Sequence, residues 1–89
     1  MTETMDYIRS MESACLVIKA LSAQNIVVRS VTLANKRAVI RISYCRYCDL
    51  LIQQGKAIYQ YFGCNAEGRY RQGQFNTGGC KVVWTEALH

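Results

Sequence analysis

The chain has 89 residues, 51% of them apolar, and its 11 Lys and Arg residues exceed its six Asp and Glu residues to give a formal net charge of +5. This length leaves room for one hydrophobic core, so residues 1–89 are expected to form a single domain. The positive charge excludes a protein that mimics DNA with an acidic surface. It favours partners that carry phosphates or an acidic protein surface.

The compartment is indicated by the apolar residues and the cysteines. The first six residues are acidic and polar, where a secretory signal peptide has a basic stretch followed by an apolar one. The longest apolar run, residues 14–18, is far shorter than the roughly 20 residues that cross a bilayer. The five cysteines are an odd number, which does not favour a disulfide framework. We therefore expect a soluble, cytoplasmic protein with reduced thiols and no membrane contact.

The N-terminal segment is predicted to be an amphipathic helix over residues 3–23, because apolar side chains recur there at steps of three and four. We expect this stripe to pack on the rest of the domain. Asn25 suits the left-handed conformation that ends many helices. The members of the stripe are Met5, Ile8, Met11, Cys15, Ile18 and Leu21.

Residues 26–34 and 37–44 are predicted to form a β-hairpin, because β-branched residues alternate with polar ones on either side of a turn at residues 35–36. In the register of a two-residue turn, Leu33 lies opposite Ala38 and Val31 lies opposite Ile40. The same register places Arg29 opposite Ile42, on the apolar face. Arg29 would then extend to the sheet margin or meet an acidic partner.

The second half of the chain is predicted to contain a short helix over residues 47–54, ended by Gly55, followed by three strands. These strands cover residues 56–62, 69–75 and 80–85, with a loop at residues 63–68 and a turn at residues 76–79. The predicted fold class is α+β. It is an antiparallel sheet of about five strands with an N-terminal amphipathic helix and a second short helix, and both helices cover one face.

Cys45 and Cys48 form a C-x-x-C pair at the junction of a strand and a helix, which raises the alternatives of dithiol chemistry and a structural zinc site. The chain has no proline, whereas thioredoxin-like folds place a cis-proline beside this motif. Cys64 and Cys80 stand singly, and the only histidine is His89. We therefore expect buried, apolar thiols, no metal and no cofactor.

No arrangement typical of a catalytic site is visible in the sequence. Hydrolases and transferases use a base beside a nucleophile, a carboxylate pair or a phosphate-binding loop. The acids are scattered, and the Gly78-Gly79 pair is not followed by the lysine and helix of a phosphate loop. We therefore expect a binding protein and not an enzyme.

Residues 68–75 are the best candidate for an interaction surface, because arginines alternate there with aromatic and amide side chains. Guanidinium groups bind phosphate in a bidentate manner, and aromatic rings stack on bases. The alternation places Arg69, Arg71 and Phe75 on one face of the strand and Tyr70, Gln72 and Gln74 on the other. The alternative is an edge strand whose charges prevent aggregation.

Binding is predicted to depend on one basic face of the sheet, because the excess positive charge lies in residues 29–85. Alternation along strands leaves one face for the core and one for solvent, and we expect the charges to collect on the second. The predicted binding residues are Arg41, Arg69, Tyr70, Arg71 and Lys81.

The C-terminal segment also resembles a known group of proteins. Gly68-Arg69-Tyr70, Gly73-Gln74-Phe75 and the segment 79–84 resemble the C-terminal end of small uncharacterised accessory proteins encoded in lambdoid prophages. The resemblance implies a bacteriophage inhibitor, for example an anti-CRISPR protein or a nuclease inhibitor. Such a protein docks stoichiometrically on a host protein or ribonucleoprotein complex. The alternative is a small RNA- or DNA-binding protein that uses the basic sheet face, and the small core leaves a homo-oligomer open.

Overall fold

The computed structural model describes residues 2–88, without the side chain of Thr2; Met1 and His89 lie outside the described residues. It contains the predicted two helices and five strands, and the α+β class is confirmed. The elements in chain order are α1 (Thr2–Ala23), β1 (Val28–Ala34), β2 (Arg37–Ser43), α2 (Arg46–Gln53), β3 (Ile58–Asn65), β4 (Gly68–Thr77) and β5 (Cys80–Leu88).

The five strands form one sheet in the order β1-β2-β5-β4-β3. The β1–β2, β3–β4 and β4–β5 pairs are antiparallel, as predicted. The β2–β5 pair is parallel, so the sheet is mixed and not purely antiparallel. The parallel pair arises where the hairpin β1–β2 and the meander β3–β4–β5 meet. α2 lies in the connection between these two antiparallel units.

The hydrophobic core lies between the two helices and one face of the sheet, which we call the helix face. Alternate residues of β2 and β5 are buried on this face, with Ile40, Val82 and Trp84 fully enclosed. They form one cluster with buried residues of both helices, as expected for a sheet covered on one side. The helical members of the cluster are Ala14, Val17, Leu21, Cys48 and Leu51.

The predicted rotation of α1 is wrong, although its length is confirmed. Of the predicted stripe only Leu21 is buried and Ile18 is partly buried, whereas Met5, Ile8, Met11 and Cys15 are exposed. Ala14 and Val17 pack on the sheet in their place.

Polar contacts accompany this rotation. The carboxylate of Asp6 lies 3.6 Å from the ammonium group of Lys36, and the Ser10 hydroxyl donates a hydrogen bond to the Lys36 carbonyl. Farther along α1, a Cβ on Gly78 would lie 2.8 Å from Val17. These contacts tie one side of α1 to the β1–β2 and β4–β5 turns, and that side differs from the most apolar stripe.

A β-bulge at Arg29 changes the predicted register at the start of the hairpin. Val31 pairs with Ile40 and Leu33 with Ala38, as predicted, but Val28 and not Arg29 pairs with Ile42. The extra residue places Arg29 away from the core. Arg29 is exposed on the edge strand β1, at the sheet margin, and its guanidinium donates to Ser43 Oγ at 3.3 Å, so within residues 2–88 its partner is a hydroxyl and not an acid.

The predicted loop at residues 63–68 is also wrong, because β3 continues to Asn65 and only residues 66–67 form the turn. The Glu67 backbone N–H donates to Asn65 Oδ1 at 2.9 Å and closes this turn. Gly63 lies inside the strand. A Cβ at this position would lie 2.7 Å from the ring of Tyr70, so this glycine permits a close approach between strands and does not mark a loop.

Candidate functional site

The face of the sheet opposite the helices, which we call the open face, is covered by no other element of residues 2–88. The strand residues that alternate with the core lie on this face, and all of those in β2, β4 and β5 are at least partly exposed except Val83, which is buried. They are mainly cationic, amide, hydroxyl and aromatic. In β2, β4 and β5 they are Arg37, Val39, Arg41, Ser43, Tyr70, Gln72, Gln74, Asn76, Lys81, Val83, Thr85 and Ala87.

Charge is distributed unevenly between the open face and the rest of the molecule. The open face carries Arg37, Arg41 and Lys81 on its central strands and Arg29 from the bulge. Within residues 2–88, no carboxylate projects from its strands. The acids lie on α1 (Glu3, Asp6 and Glu12), on α2 (Asp49), in the β3–β4 turn (Glu67) and on the helix face (Glu86). The strands of the open face therefore carry an excess of positive charge, and the nearest acids lie at its margins: Glu67 lines a cavity beside Tyr70, and Asp49 accepts a hydrogen bond from Tyr44 at 2.6 Å.

Two arginines meet in a concave part of this face, which we call the arginine groove. The groove has a volume of about 320 Å³. Arg41 Nη1 donates to Thr85 Oγ1 at 3.1 Å, and Arg29 Nη1 donates to Ser43 Oγ at 3.3 Å. Each neutral hydroxyl occupies one N–H of a guanidinium that has five, so the others remain available to an anion. The groove is lined by Arg29, Arg41, Ile42, Ser43, Tyr44 and Thr85.

An aromatic pair lies toward the other edge of the open face. The ring centroids of Tyr61 and Tyr70 are 5.9 Å apart, and the ring planes are inclined by 46°. Both rings converge above Gly63, where a Cβ would lie 2.7 Å from Tyr70 and 2.9 Å from Tyr61. Tyr61 is 51% exposed. The pair, called here the tyrosine pair, is thus held against the sheet while one ring remains accessible.

The five predicted binding residues do not form one surface. Arg41, Tyr70 and Lys81 project from the open face, whereas Arg69 and Arg71 lie on the helix-face side of β4. The physical reason is Phe75, which is buried in the core. Since Phe75, Arg71 and Arg69 alternate along the same strand, burial of the aromatic ring determines the direction of both arginines.

Arg71 is engaged within the protein. Its Nη2 lies 2.8 Å from a carboxylate oxygen of Glu86, and its guanidinium carbon lies 3.8 Å from the ring centroid of Tyr59. The Tyr59 hydroxyl donates to the other Glu86 oxygen at 3.1 Å. The hydrogen bond to Glu86 raises the pKa of Arg71, and burial followed by the Glu86 contact raises the pKa of Tyr59. This cluster compensates the charge of Arg71, in contrast to the arginines of the open face.

Sequence analysis missed Arg29, Arg37 and Tyr61 as members of the open face. Arg37 was accessible to prediction, because it alternates with the buried residues Ala38 and Ile40. Arg29 and Tyr61 were not, because a register shift lies beside each of them, in β1 and in β3. A bulge changes the face of every residue beyond it, and neither has a clear local sequence signature.

The C-x-x-C pair lies at the start of α2, where Cys45 precedes the helix and Cys48 joins the core cluster. The sulfur atoms of Cys45 and Cys48 are 4.0 Å apart, and Cys48 is fully buried in the core. Burial raises the pKa of the Cys48 thiol to about 12. Cys64 and Cys80 lie elsewhere in the sheet. Within residues 2–88, no group of three or more histidine, cysteine or acidic side chains is placed to hold a metal ion.

Comparison with known proteins gives a family but no activity. A family model described as "Uncharacterised protein" matches residues 5–87. No curated protein and no solved structure matches the chain. Neither α1 nor α2 is long and apolar enough to cross a membrane.

Proposed function

The chain belongs to this family of uncharacterised proteins, and we propose that it is a non-catalytic, cytoplasmic protein that binds nucleic acid through the open face. One observation carries the proposal: an uncovered sheet face bears Arg29, Arg37, Arg41 and Lys81 and no carboxylate of its own. The family match covers nearly the whole sheet, from residue 5 to residue 87.

The electrostatic argument starts from the cost of gathering like charges. Four cations on one face repel one another, and the three arginines among them have hydroxyl or amide hydrogen-bond partners within residues 2–88. Arg37, for example, donates to the amide oxygen of Asn76 at 2.6 Å and not to a carboxylate. A polyanion that lies on the open face removes the repulsion and releases its own counterions.

The side chains also fit phosphate in particular. A guanidinium is planar and presents paired N–H groups that match two phosphate oxygens. In the arginine groove, hydrogen bonds from Arg41 to Thr85 and from Arg29 to Ser43 restrict the two guanidinium groups before a ligand arrives. Less rotamer freedom is then lost on binding, which favours affinity.

The test is binding of a fluorescently labelled oligonucleotide, measured by anisotropy over a range of salt concentrations. The variant Arg29→Ala with Arg41→Ala should weaken binding by roughly tenfold to a hundredfold and reduce the salt slope by about 1.5, since two phosphate contacts are removed. The matched control is Arg9→Ala with Lys19→Ala, which changes net charge equally on exposed positions of α1. Absence of binding by the unaltered protein, or equal losses in both variants, contradicts the proposal.

A second candidate, an inhibitor that docks stoichiometrically on a host protein or ribonucleoprotein, is favoured by a different observation. The N-terminal half of α1 exposes large apolar side chains, including Met5, Ile8 and Met11, each at least 41% exposed. Exposed apolar groups of this kind are typical of protein interfaces and contribute little to phosphate binding. The resemblance to prophage accessory proteins suggests a nuclease or an RNA-guided defence complex as the target.

This candidate is tested by titration of the protein into purified host nucleases and RNA-guided nucleases. Inhibition that saturates at equimolar protein, and that Ile8→Ser with Met11→Ser abolishes, supports docking through α1. Inhibition that disappears with Arg29→Ala and Arg41→Ala instead, and that is overcome by excess oligonucleotide, supports direct binding of nucleic acid by the open face.

A further inference from the structure

The arginine groove and the tyrosine pair lie at two ends of one row of residues that crosses the strands. Strand register places Ser43 beside Thr85, Thr85 beside Gln72, and Gln72 beside Tyr61. Neighbouring strands are about 4.8 Å apart, so this row spans about 14 Å from β2 to β3. Hydrogen bonds to Thr85 Oγ1 from Arg41 at 3.1 Å and from Gln72 at 3.4 Å follow the same line.

The chemistry changes along this row. At the β1–β2 end, guanidinium groups offer charge-assisted hydrogen bonds to an anion. In the middle, Gln72 offers a neutral amide that can donate and accept. At the β3 end, the tyrosine pair offers an aromatic surface on which any of the bases can stack. A ligand that uses the whole row therefore carries a negative group at one end and a flat, unsaturated ring at the other.

The tyrosine pair differs from the buried aromatic residues of this protein. Tyr59 already stacks with Arg71 and lies 6.2 Å from the ring of Trp84, so its faces are occupied by the protein. Tyr61 is half-exposed on an uncovered face, and Gly63 beneath it allows the Tyr70 ring to lie close to the sheet. A planar ligand can thus approach Tyr61 without displacing a core side chain.

A duplex does not supply this combination. In double-stranded nucleic acid the base faces are covered by neighbouring bases, and only phosphates, sugars and base edges are accessible. Bases of a single strand can be turned outward and stacked on aromatic side chains. The short span of the row suits a few nucleotides of an extended strand.

We propose that the open face binds single-stranded nucleic acid that runs across the β-strands, with a phosphate in the arginine groove and a base stacked on Tyr61 of the tyrosine pair. This inference rests on the proposed function and specifies its ligand. The chemistry is shared by RNA and single-stranded DNA, which differ only in the sugar, and the experiment below includes both.

The experiment compares three labelled ligands of one sequence: a short RNA, the corresponding single-stranded DNA, and the DNA duplex. At least one single strand should bind tenfold or more tighter than the duplex at equal salt. Tyr61→Ala should weaken single-strand binding by about fivefold to a hundredfold, which corresponds to the loss of one stacked base. The salt slope should stay unchanged, because no phosphate contact is lost.

Two matched variants separate stacking from other effects. Tyr61→Phe keeps the ring and removes the hydroxyl, and it should bind single strands within about twofold of the unaltered protein if stacking dominates. Arg41→Ala should lower the salt slope for single strand and duplex alike. Thermal unfolding followed by circular dichroism confirms that each variant remains folded, which is expected because Tyr61 is half-exposed.

The outcomes distinguish this inference from the proposed function. If duplex and single strands bind equally and Tyr61→Ala has no effect, the row is not a single-strand site, but nucleic-acid binding through the cations stands. If Tyr61→Phe loses as much affinity as Tyr61→Ala, the hydroxyl and not the ring acts, and the stacking is refuted. If no ligand binds, both proposals fail.

Discussion

The two faces of the sheet treat charge in opposite ways. On the helix face, Arg71 pairs with Glu86 at 2.8 Å and stacks on Tyr59. On the open face, the hydrogen-bond partners of Arg41 and Arg29 within residues 2–88 are hydroxyl groups. Burial explains the difference, because a charge beside a core requires a compensating charge, whereas a solvated one does not. The two faces thus differ in whether their arginines are paired with acids.

The two faces should differ most in their tolerance of added volume. A Cβ at Gly73 would lie within the van der Waals surface of the Trp84 indole, which is fully buried on the helix face. We expect Gly73→Ala to lower the free energy of unfolding by about 3 kcal/mol or more, because neither the backbone nor the ring can move aside.

Gly63→Ala is the matched change on the open face. There the Cβ meets the rings of Tyr70 and Tyr61, which can move toward solvent, so we expect a loss of about 1 kcal/mol. Urea unfolding monitored by tryptophan fluorescence measures both variants. Equal losses would show that the open face is as tightly packed as the helix face.

The next comparison concerns which side of α1 packs on the helix face of the sheet. Val17 is buried, and we expect Val17→Ala to cost about 2 kcal/mol through lost burial and a cavity. Met11 is half-exposed, and Met11→Ala should stay within about 0.5 kcal/mol. Calorimetric melting of both variants measures this. A large effect of Met11→Ala with a small effect of Val17→Ala would show that α1 is rotated as the apolar stripe predicts.

The arginines of the two faces should separate stability from binding. Arg71→Ala removes a partly buried ion pair and a stacked guanidinium, and we expect it to lower the free energy of unfolding by about 1–2 kcal/mol with little change in oligonucleotide affinity. Arg41→Ala should do the reverse. Urea titration gives the free energy of unfolding of each variant, and anisotropy gives its oligonucleotide affinity. Loss of affinity in Arg71→Ala at full stability would move the binding site to the helix face.

A loss of stability in alkali is also expected, and it comes from Cys48 in the core and Tyr44 at the arginine groove. The hydrogen bond to Asp49 raises the pKa of Tyr44 to about 12, and burial raises that of Cys48 to about 12. In the unfolded chain these groups lose their protons at about pH 10 and 8.5. The folded state then holds more protons than the unfolded state, so the free energy of unfolding is unaffected below about pH 8.5 and falls as pH rises toward 12.

Two variants assign this alkaline effect. Cys48→Ala should flatten the dependence from about pH 8.5 upward, and Tyr44→Phe should flatten it above about pH 10. Both variants are also expected to be less stable at neutral pH, so the slope against pH is the diagnostic quantity. Urea midpoints between pH 7 and pH 11 provide it. A slope that is unchanged in Cys48→Ala would contradict a raised pKa for this thiol.

Sequence periodicity predicted the type and approximate position of every element, because helical and strand periods are local. The rotation of α1 was not predictable in this way, since it depends on how Ala14, Val17 and Leu21 pack against residues of other elements. The parallel β2–β5 pair has no local signature either. Secondary structure could therefore be predicted from the sequence more fully than the packing of its elements.

The candidate site was predictable only in part, for a similar reason. Alternation with Ile40 correctly indicates that Arg41 points away from the core. Alternation also places Arg71 on the same face as Phe75. Because a large aromatic residue indicates the buried face, this pattern argues against the prediction that Arg71 lies on the binding face. The tyrosine pair could not be predicted, because it depends on the register between β3 and β4. A register shift at Gln60 interrupts the alternation of faces along β3.

The parallel β2–β5 pair has a consequence for how the chain folds. Both hairpin units are local in sequence, whereas Val39 pairs with Lys81 nearly half the chain away. Closing this distance costs chain entropy before any contact across the seam compensates for it, and such non-local pairing slows folding more than it lowers stability. The open face is continuous only once this seam has closed. The arginine groove, whose walls come from β1, β2 and β5, can therefore form only after this seam has closed.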